Sequence, residues 1–164
     1  MRQLTQHELA DFIKQHIDSA QMDAVQTQLD KGVLTELDVR LGHVSYYENR
    51  KICGDAIHLA KPESWDRVWI QHTLEHNEPL ILQPGQFVLA ETHECFKLPK
   101  DIKGLFTLRS WAAKSGLDQA VSITLKPRWQ GNLIMELRNN LQHISLSLYP
   151  LQAIGQVEFF QLDL

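Results

Sequence analysis

Arg109, Ser110 and Lys114 fall within the short stretch Leu108-Arg109-Ser110-Trp111-Ala112-Ala113-Lys114-Ser115-Gly116-Leu117. A helix over Ser110–Ser115 runs about one and a half turns. If Ser110 opens it, its hydroxyl and the free backbone N–H groups face an incoming anion. Lys114, four residues on, shares that face, and Arg109 sits just before it. A hydroxyl, a guanidinium and an ammonium so grouped suit a di- or triphosphate. The same spacing also fits a capped surface helix with solvated charges, and both readings stay open.

The second candidate is an acid. Lys126-Pro127-Arg128-Trp129-Gln130-Gly131 reads as a turn, and Asn132-Leu133-Ile134-Met135-Glu136-Leu137-Arg138-Asn139 as a strand. Leu133, Met135 and Leu137 share one face; Ile134, Glu136 and Arg138 share the other. A carboxylate in mid-strand is costly if buried without a partner. Glu136 is therefore either paired, with Arg138 or Lys114, or used as a general base on water. Zinc chemistry of the His-x-Glu, Pro-Cys-x-x-Cys type lacks its ligands: His76-Asn77-Glu78 is present, but no Pro-Cys-x-x-Cys is. His72 and His76 have no evident third ligand and read as exposed loop histidines.

These residues need elements to hold them. Thr5-Gln6-His7-Glu8 matches a capping box ahead of Leu9, Phe12, Ile13 and Ile17, which predicts a helix to about Ile17. Ala20 to Lys31 reads as a second helix that Gly32 ends. Beyond Gly32 the pattern alternates, beginning with Leu37-Asp38-Val39-Arg40-Leu41, and Gly and Pro recur as punctuation. Strands are expected at Pro79–Leu82, Gln86–Thr92, Leu105–Leu108, Ala120–Leu125, Leu133–Arg138, Ile144–Leu148 and Gln156–Leu162. The expectation is one mainly β (α+β) domain over 1–164, helical over 1–32 and a β-barrel over 33–164.

Composition narrows the function. The 164 residues carry 16 Lys+Arg against 20 Asp+Glu, a formal net charge of -4. That balance argues against nucleic acid or a membrane surface as partner. The N-terminus lacks the apolar run of a secretory signal, so a cytoplasmic protein is expected, with Cys53 and Cys95 as reduced thiols.

One resemblance joins these signals. The order Pro84-Gly85, Leu89-Ala90, Leu98-Pro99, Gly104, Arg109-Ser110, Gly116-Leu117, Pro127-x-Trp129-x-Gly131, Glu136-Leu137-x-Asn139 and Ile154-Gly155-Gln156 resembles the dCTP deaminase branch of the trimeric dUTPase / dCTP deaminase superfamily. Leu37-Asp38-Val39-Arg40-Leu41-Gly42 resembles its early strand. The resemblance implies a distorted β-barrel or jelly-roll of dUTPase-like type, with N-terminal helices and one short internal helix. It also implies a homotrimer whose sites lie between subunits and take a deoxynucleoside triphosphate, with Mg²⁺ bound through the phosphates and no zinc. Glu136 would activate water and Ser110 would position substrate. Arg109 and Lys114 would neutralise phosphate, with Lys126, Trp129 and Gln156 completing the substrate contacts.

The chain also departs from the family's pattern. Lys114 stands where an arginine is usual, Trp111 where a second serine is, and Lys126 where the superfamily carries an acid. Thr124 is the nearest match to a basic phosphate contact. The resemblance further implies a tail folding over the triphosphate; the sequence stops at Leu164, and weaker binding is expected from that. Three functions follow: deamination of dCTP to dUTP by the retained Arg109, Ser110 and Glu136; a non-catalytic nucleotide- or protein-binding module; and a dUTPase or a pyrophosphatase for modified deoxynucleotides, which needs another acid in place of Lys126.

Overall fold

Glu8 starts the fold. Its carboxylate accepts the Thr5 backbone N–H at 2.9 Å and the Thr5 hydroxyl at 2.9 Å, and the Arg2 guanidinium grips it with two bonds of 2.7 Å. This box opens helix α1 (Gln6–His16), whose Leu9, Phe12 and Ile13 at helical spacing are buried. Helix α2 (Met22–Asp30) buries Val25 and is followed by Gly32 in the left-handed region, φ 67°. The computed structural model describes residues 1–52, 57, 60, 66–120 and 124–163.

Strands follow: β1 (Arg2–Gln3) and β2 (Ile17–Asp18) flank α1, then come β3 (Leu37–Glu48), β4 (Trp69–Thr73), β5 (Leu80–Leu82), β6 (Phe87–Lys97) and β7 (Ile102–Leu108). After helix α3 (Ser110–Lys114) come β8 (Leu117–Gln119), β9 (Thr124–Leu125), β10 (Gln130–Asn139), β11 (Leu146–Leu148) and β12 (Ala153–Gln161). Ten strands form one antiparallel sheet with the path β8-β10-β6-β3-β12-β7-β9, to which β1, β2 and β4 add; β5 and β11 form a separate ribbon. The sheet curls into a half-barrel, bringing β8 back against β7.

Strand β6 shows why the sheet curls around a core: Val88, Ala90, Thr92, Glu94 and Phe96 point in, and the residues between them point out. Glu94 is fully buried and Arg40 nearly so. Arg40 Nε donates to Glu94 Oε1 at 2.6 Å, its backbone N–H to Oε2 at 2.8 Å, and its guanidinium also reaches the Ser19 carbonyl. The Thr92 hydroxyl donates to the Glu94 carbonyl and accepts the Leu133 N–H. Asn139 ties the β10 end to Leu82 and Ile144. Among the described residues no buried side-chain nitrogen or oxygen lacks a partner.

Several expected boundaries move. Leu105–Leu108 and Gln86–Thr92 extend to Ile102–Leu108 and Phe87–Lys97, because cross-strand pairing carries the ladder beyond the apolar residues. The expected strand Ala120–Leu125 becomes β8 and β9, with 121–123 outside the described residues. Strand β4 was not anticipated, and it corrects the reading of His72 as a loop residue: His72 pairs with Ser45 of β3 and meets Glu78 at 2.8 Å. Cys95 is a free thiol on β6; Cys53 lies outside the described residues. No described helix is long and apolar enough to cross a membrane.

Candidate functional site

Strand β7 delivers Arg109 to the mouth of the curl. Its backbone N–H donates to the Ile154 carbonyl at 2.9 Å, holding it extended before α3 begins. Only Ala112 of α3 is buried; Ser110, Trp111 and Lys114 face solvent. The Ser115 hydroxyl closes the helix on the Trp111 carbonyl at 2.9 Å. Gly116 then turns at φ 91°, where a Cβ would meet the Leu141 side chain at 2.6 Å.

The Arg109 guanidinium is not free: Nη2 donates to Asp38 Oδ2 at 2.8 Å. Asp38 lies opposite Gln156 on β12, and Gln156 lies opposite Thr107 on β7. Three strands thus bring Asp38, Gln156, Thr107 and the Arg109 side chain together on one face. Sequence reasoning missed Asp38. A polar residue alternating with Leu37 and Val39 has the pattern of a solvated strand face, and its partner lies 71 residues away.

Glu136 sits at mid-strand on β10, half-buried. Its N–H donates to Gln119 Oε1 at 3.0 Å and its carbonyl accepts the Ala120 N–H at 2.9 Å, so β8 fixes its backbone. Its carboxylate accepts no hydrogen bond and forms no ion pair with the described residues; the pairing with Arg138 or Lys114 left open by the sequence is not made. Opposite Glu136 stands Leu89, then Tyr46 and Gln71, one row across four strands. That row borders a cavity of about 350 Å³ lined by Tyr46, Trp69, Gln71, Leu89 and Ile134. The Tyr46 hydroxyl donates to Glu91 at 2.7 Å, and this bond to a carboxylate, together with burial, raises its pKa.

The remaining expected residues lie on other elements. Lys126 is exposed on the turn between β9 and β10, where its carbonyl accepts the Trp129 N–H at 3.1 Å. Trp129 is partly buried, its indole N–H directed at the Gly131 carbonyl at 3.3 Å, and its own carbonyl accepts the Leu98 N–H at 2.8 Å. The structure therefore joins Arg109 with Gln156. No hydrogen bond or ion pair among the described residues ties Glu136 to Arg109, Ser110 or Lys114. Nor do any three described His, Cys, Asp or Glu residues converge to hold a metal.

The curled antiparallel half-barrel is the fold of a solved 2'-deoxycytidine 5'-triphosphate deaminase from Agrobacterium tumefaciens, with a TM-score of 0.67 at 16% identity over 96% of this chain and 47% of that one. The dCTP deaminase-like family model matches residues 3–162, and the chain belongs to that family. A dUMP-forming dCTP deaminase of Thermobifida fusca is 38% identical over 90 residues, 54% of this chain and 45% of the relative. Another, from Kocuria rhizophila, is 28% identical over 153 residues, 92% of this chain and 77% of the relative. The chain spans about half the length of the first of these relatives.

Proposed function

We propose that this chain hydrolytically deaminates a deoxycytidine nucleotide, dCTP to dUTP, without zinc, in the cytoplasm, at sites formed between the subunits of a homotrimer. The observation that carries the reading is the Glu136 carboxylate: half-buried, with its backbone N–H and carbonyl both engaged by Gln119 and Ala120, and unclaimed by any described side chain. Its oxygens are open to solvent, so nothing in the fold consumes them and they can meet a water and a substrate. Glu136 takes a proton from water as the oxygen adds to the ring carbon bearing the amino group. It returns a proton to that nitrogen; the carbon–nitrogen bond breaks, ammonia leaves, and the hydroxyl proton passes to the ring nitrogen as the carbonyl forms.

Ser110 orients substrate, Arg109 and Lys114 neutralise phosphate, and Lys126, Trp129 and Gln156 complete the contacts. Mg²⁺ enters this scheme bound through the phosphates of the nucleotide substrate. A second reading, binding without turnover, is favoured by Lys126, exposed on a turn where the family resemblance implies an acid.

The test is ammonia release from dCTP, with product read by mass spectrometry to separate dUTP from dUMP. Wild type should yield dUTP and Glu136→Gln should yield none. Turnover retained in Glu136→Gln overturns the assignment of the base, and binding of dCTP without turnover in wild type selects the second reading.

A further inference from the structure

We propose that Asp38 is a positioning residue: its carboxylate sets the Arg109 guanidinium across β12, beside Gln156, to form the seat for a polyphosphate. The inference rests on the deoxynucleotide reading above and adds to it a residue that the phosphate-binding set did not contain.

Geometry carries the argument. Arg109 follows the last residue of β7 and Asp38 is the second residue of β3, and β12 runs between those two strands. The Nη2–Oδ2 contact of 2.8 Å therefore spans β12, the strand that carries Gln156. Both side chains are largely withdrawn from water, 34% exposed for Arg109 and 24% for Asp38, unlike the Arg2–Glu8 pair at 54% and 43%. A guanidinium has five N–H donors in a rigid fork, and Asp38 engages one nitrogen of it. The rest of the fork stays available on the face shared with Gln156 and Thr107. An arginine held in one rotamer loses less freedom when it grips a phosphate, so the pairing pre-organises the donor. No other described side chain holds Arg109.

The sign of the effect separates this role from simple electrostatics. Asp38 is a negative charge beside a seat for anions, so on charge alone its removal should tighten polyphosphate binding. As a positioning residue it should do the reverse.

The experiment titrates the full chain with inorganic tripolyphosphate, dCTP and deoxycytidine by calorimetry, beside the dCTP turnover assay. Asp38→Asn should weaken tripolyphosphate and dCTP by about tenfold, the order seen when a partner that orients a binding side chain is removed. Deoxycytidine binding and the melting temperature should not move. In an Arg109→Ala background Asp38→Asn should cause no further loss of binding. Equal or tighter tripolyphosphate binding by Asp38→Asn, a further loss on top of Arg109→Ala, or an equal loss for all three ligands overturns the proposal. Should Asp38→Asn melt early, Asp38→Glu keeps the charge and displaces the carboxylate; it must still weaken tripolyphosphate, and unchanged binding overturns the role. Wild type that binds tripolyphosphate but never turns over dCTP removes the deaminase reading and leaves the positioning role standing. Wild type that binds neither polyphosphate removes the seat itself.

Discussion

Glu94 and Glu136 are both acids in the inner part of long strands, yet their surroundings differ. Glu94 is fully buried and saturated by Arg40 and the Arg40 backbone. Removing its charge leaves the buried guanidinium uncompensated, so Glu94→Gln should destabilise the fold by about 3 kcal/mol in urea titrations. Glu136 has no such partner, and Glu136→Gln should change stability by no more than about 0.5 kcal/mol while abolishing turnover. Equal destabilisation by the two variants would make Glu136 structural. A third acid, Glu8, senses pH at the surface. Its bonds to Arg2 and Thr5 hold its pKa down from 4.5 to about 2. The folded value lies below the unfolded one, so the contribution is fully present above pH 4.5 and is lost as pH falls through about 2. Following the Glu8 carboxyl resonance by NMR should give a midpoint near 2 in wild type and one closer to 4.5 in Arg2→Ala.

At the scale of elements, α3 depends on the turn that ends it. Gly116 at φ 91° is a conformation that side chains rarely adopt, and an added Cβ would strike Leu141 at 2.6 Å. Gly116→Ala should therefore cost about 1–3 kcal/mol and weaken dCTP binding, because the Arg109–Lys114 segment and β8 are joined through this residue. Unchanged thermal stability and affinity would show that the turn adapts. Gly116 was legible in the sequence because glycine at a helix end has a local cause. So were α1, through its capping box, and parts of β6 and β10, through short apolar runs bounded by Gly and Pro. Strand β4 was not: Trp69-Ile70-Gln71-His72-Thr73 has mostly exposed residues, and its strand character comes from pairing with β3. The site followed the same division. Glu136 drew attention through its own strand pattern, which left its role open between an ion pair and a base, whereas Asp38–Arg109 and Arg40–Glu94 are contacts between residues 71 and 54 positions apart. No local period encodes contacts of that kind.

For the whole molecule, the outer face of the β4-β3-β6-β10 region is the surface that the proposed homotrimer would cover. Phe87, Leu89, Tyr46, Trp69 and Ile134 lie on it half-buried in the isolated protomer, an apolar surface facing away from the core. Apolar faces of this kind are usually covered by a partner, and the proposed homotrimer supplies one in further copies of the same chain. Sedimentation equilibrium should then give about three times the protomer mass of 18.9 kDa. Ile134→Lys places a charge on the β10 side of that face without touching the inward residues Leu133 and Met135. It should yield a species of protomer mass with an unchanged far-UV circular dichroism spectrum. Because the proposed site needs a second copy, the same variant should lose turnover even though Glu136, Ser110 and Arg109 are intact. Mixing it with Glu136→Gln chains should restore none, since neither provides an assembled site with a working base. A wild-type monomer that deaminates dCTP would overturn the inter-subunit site while leaving Glu136 as its base.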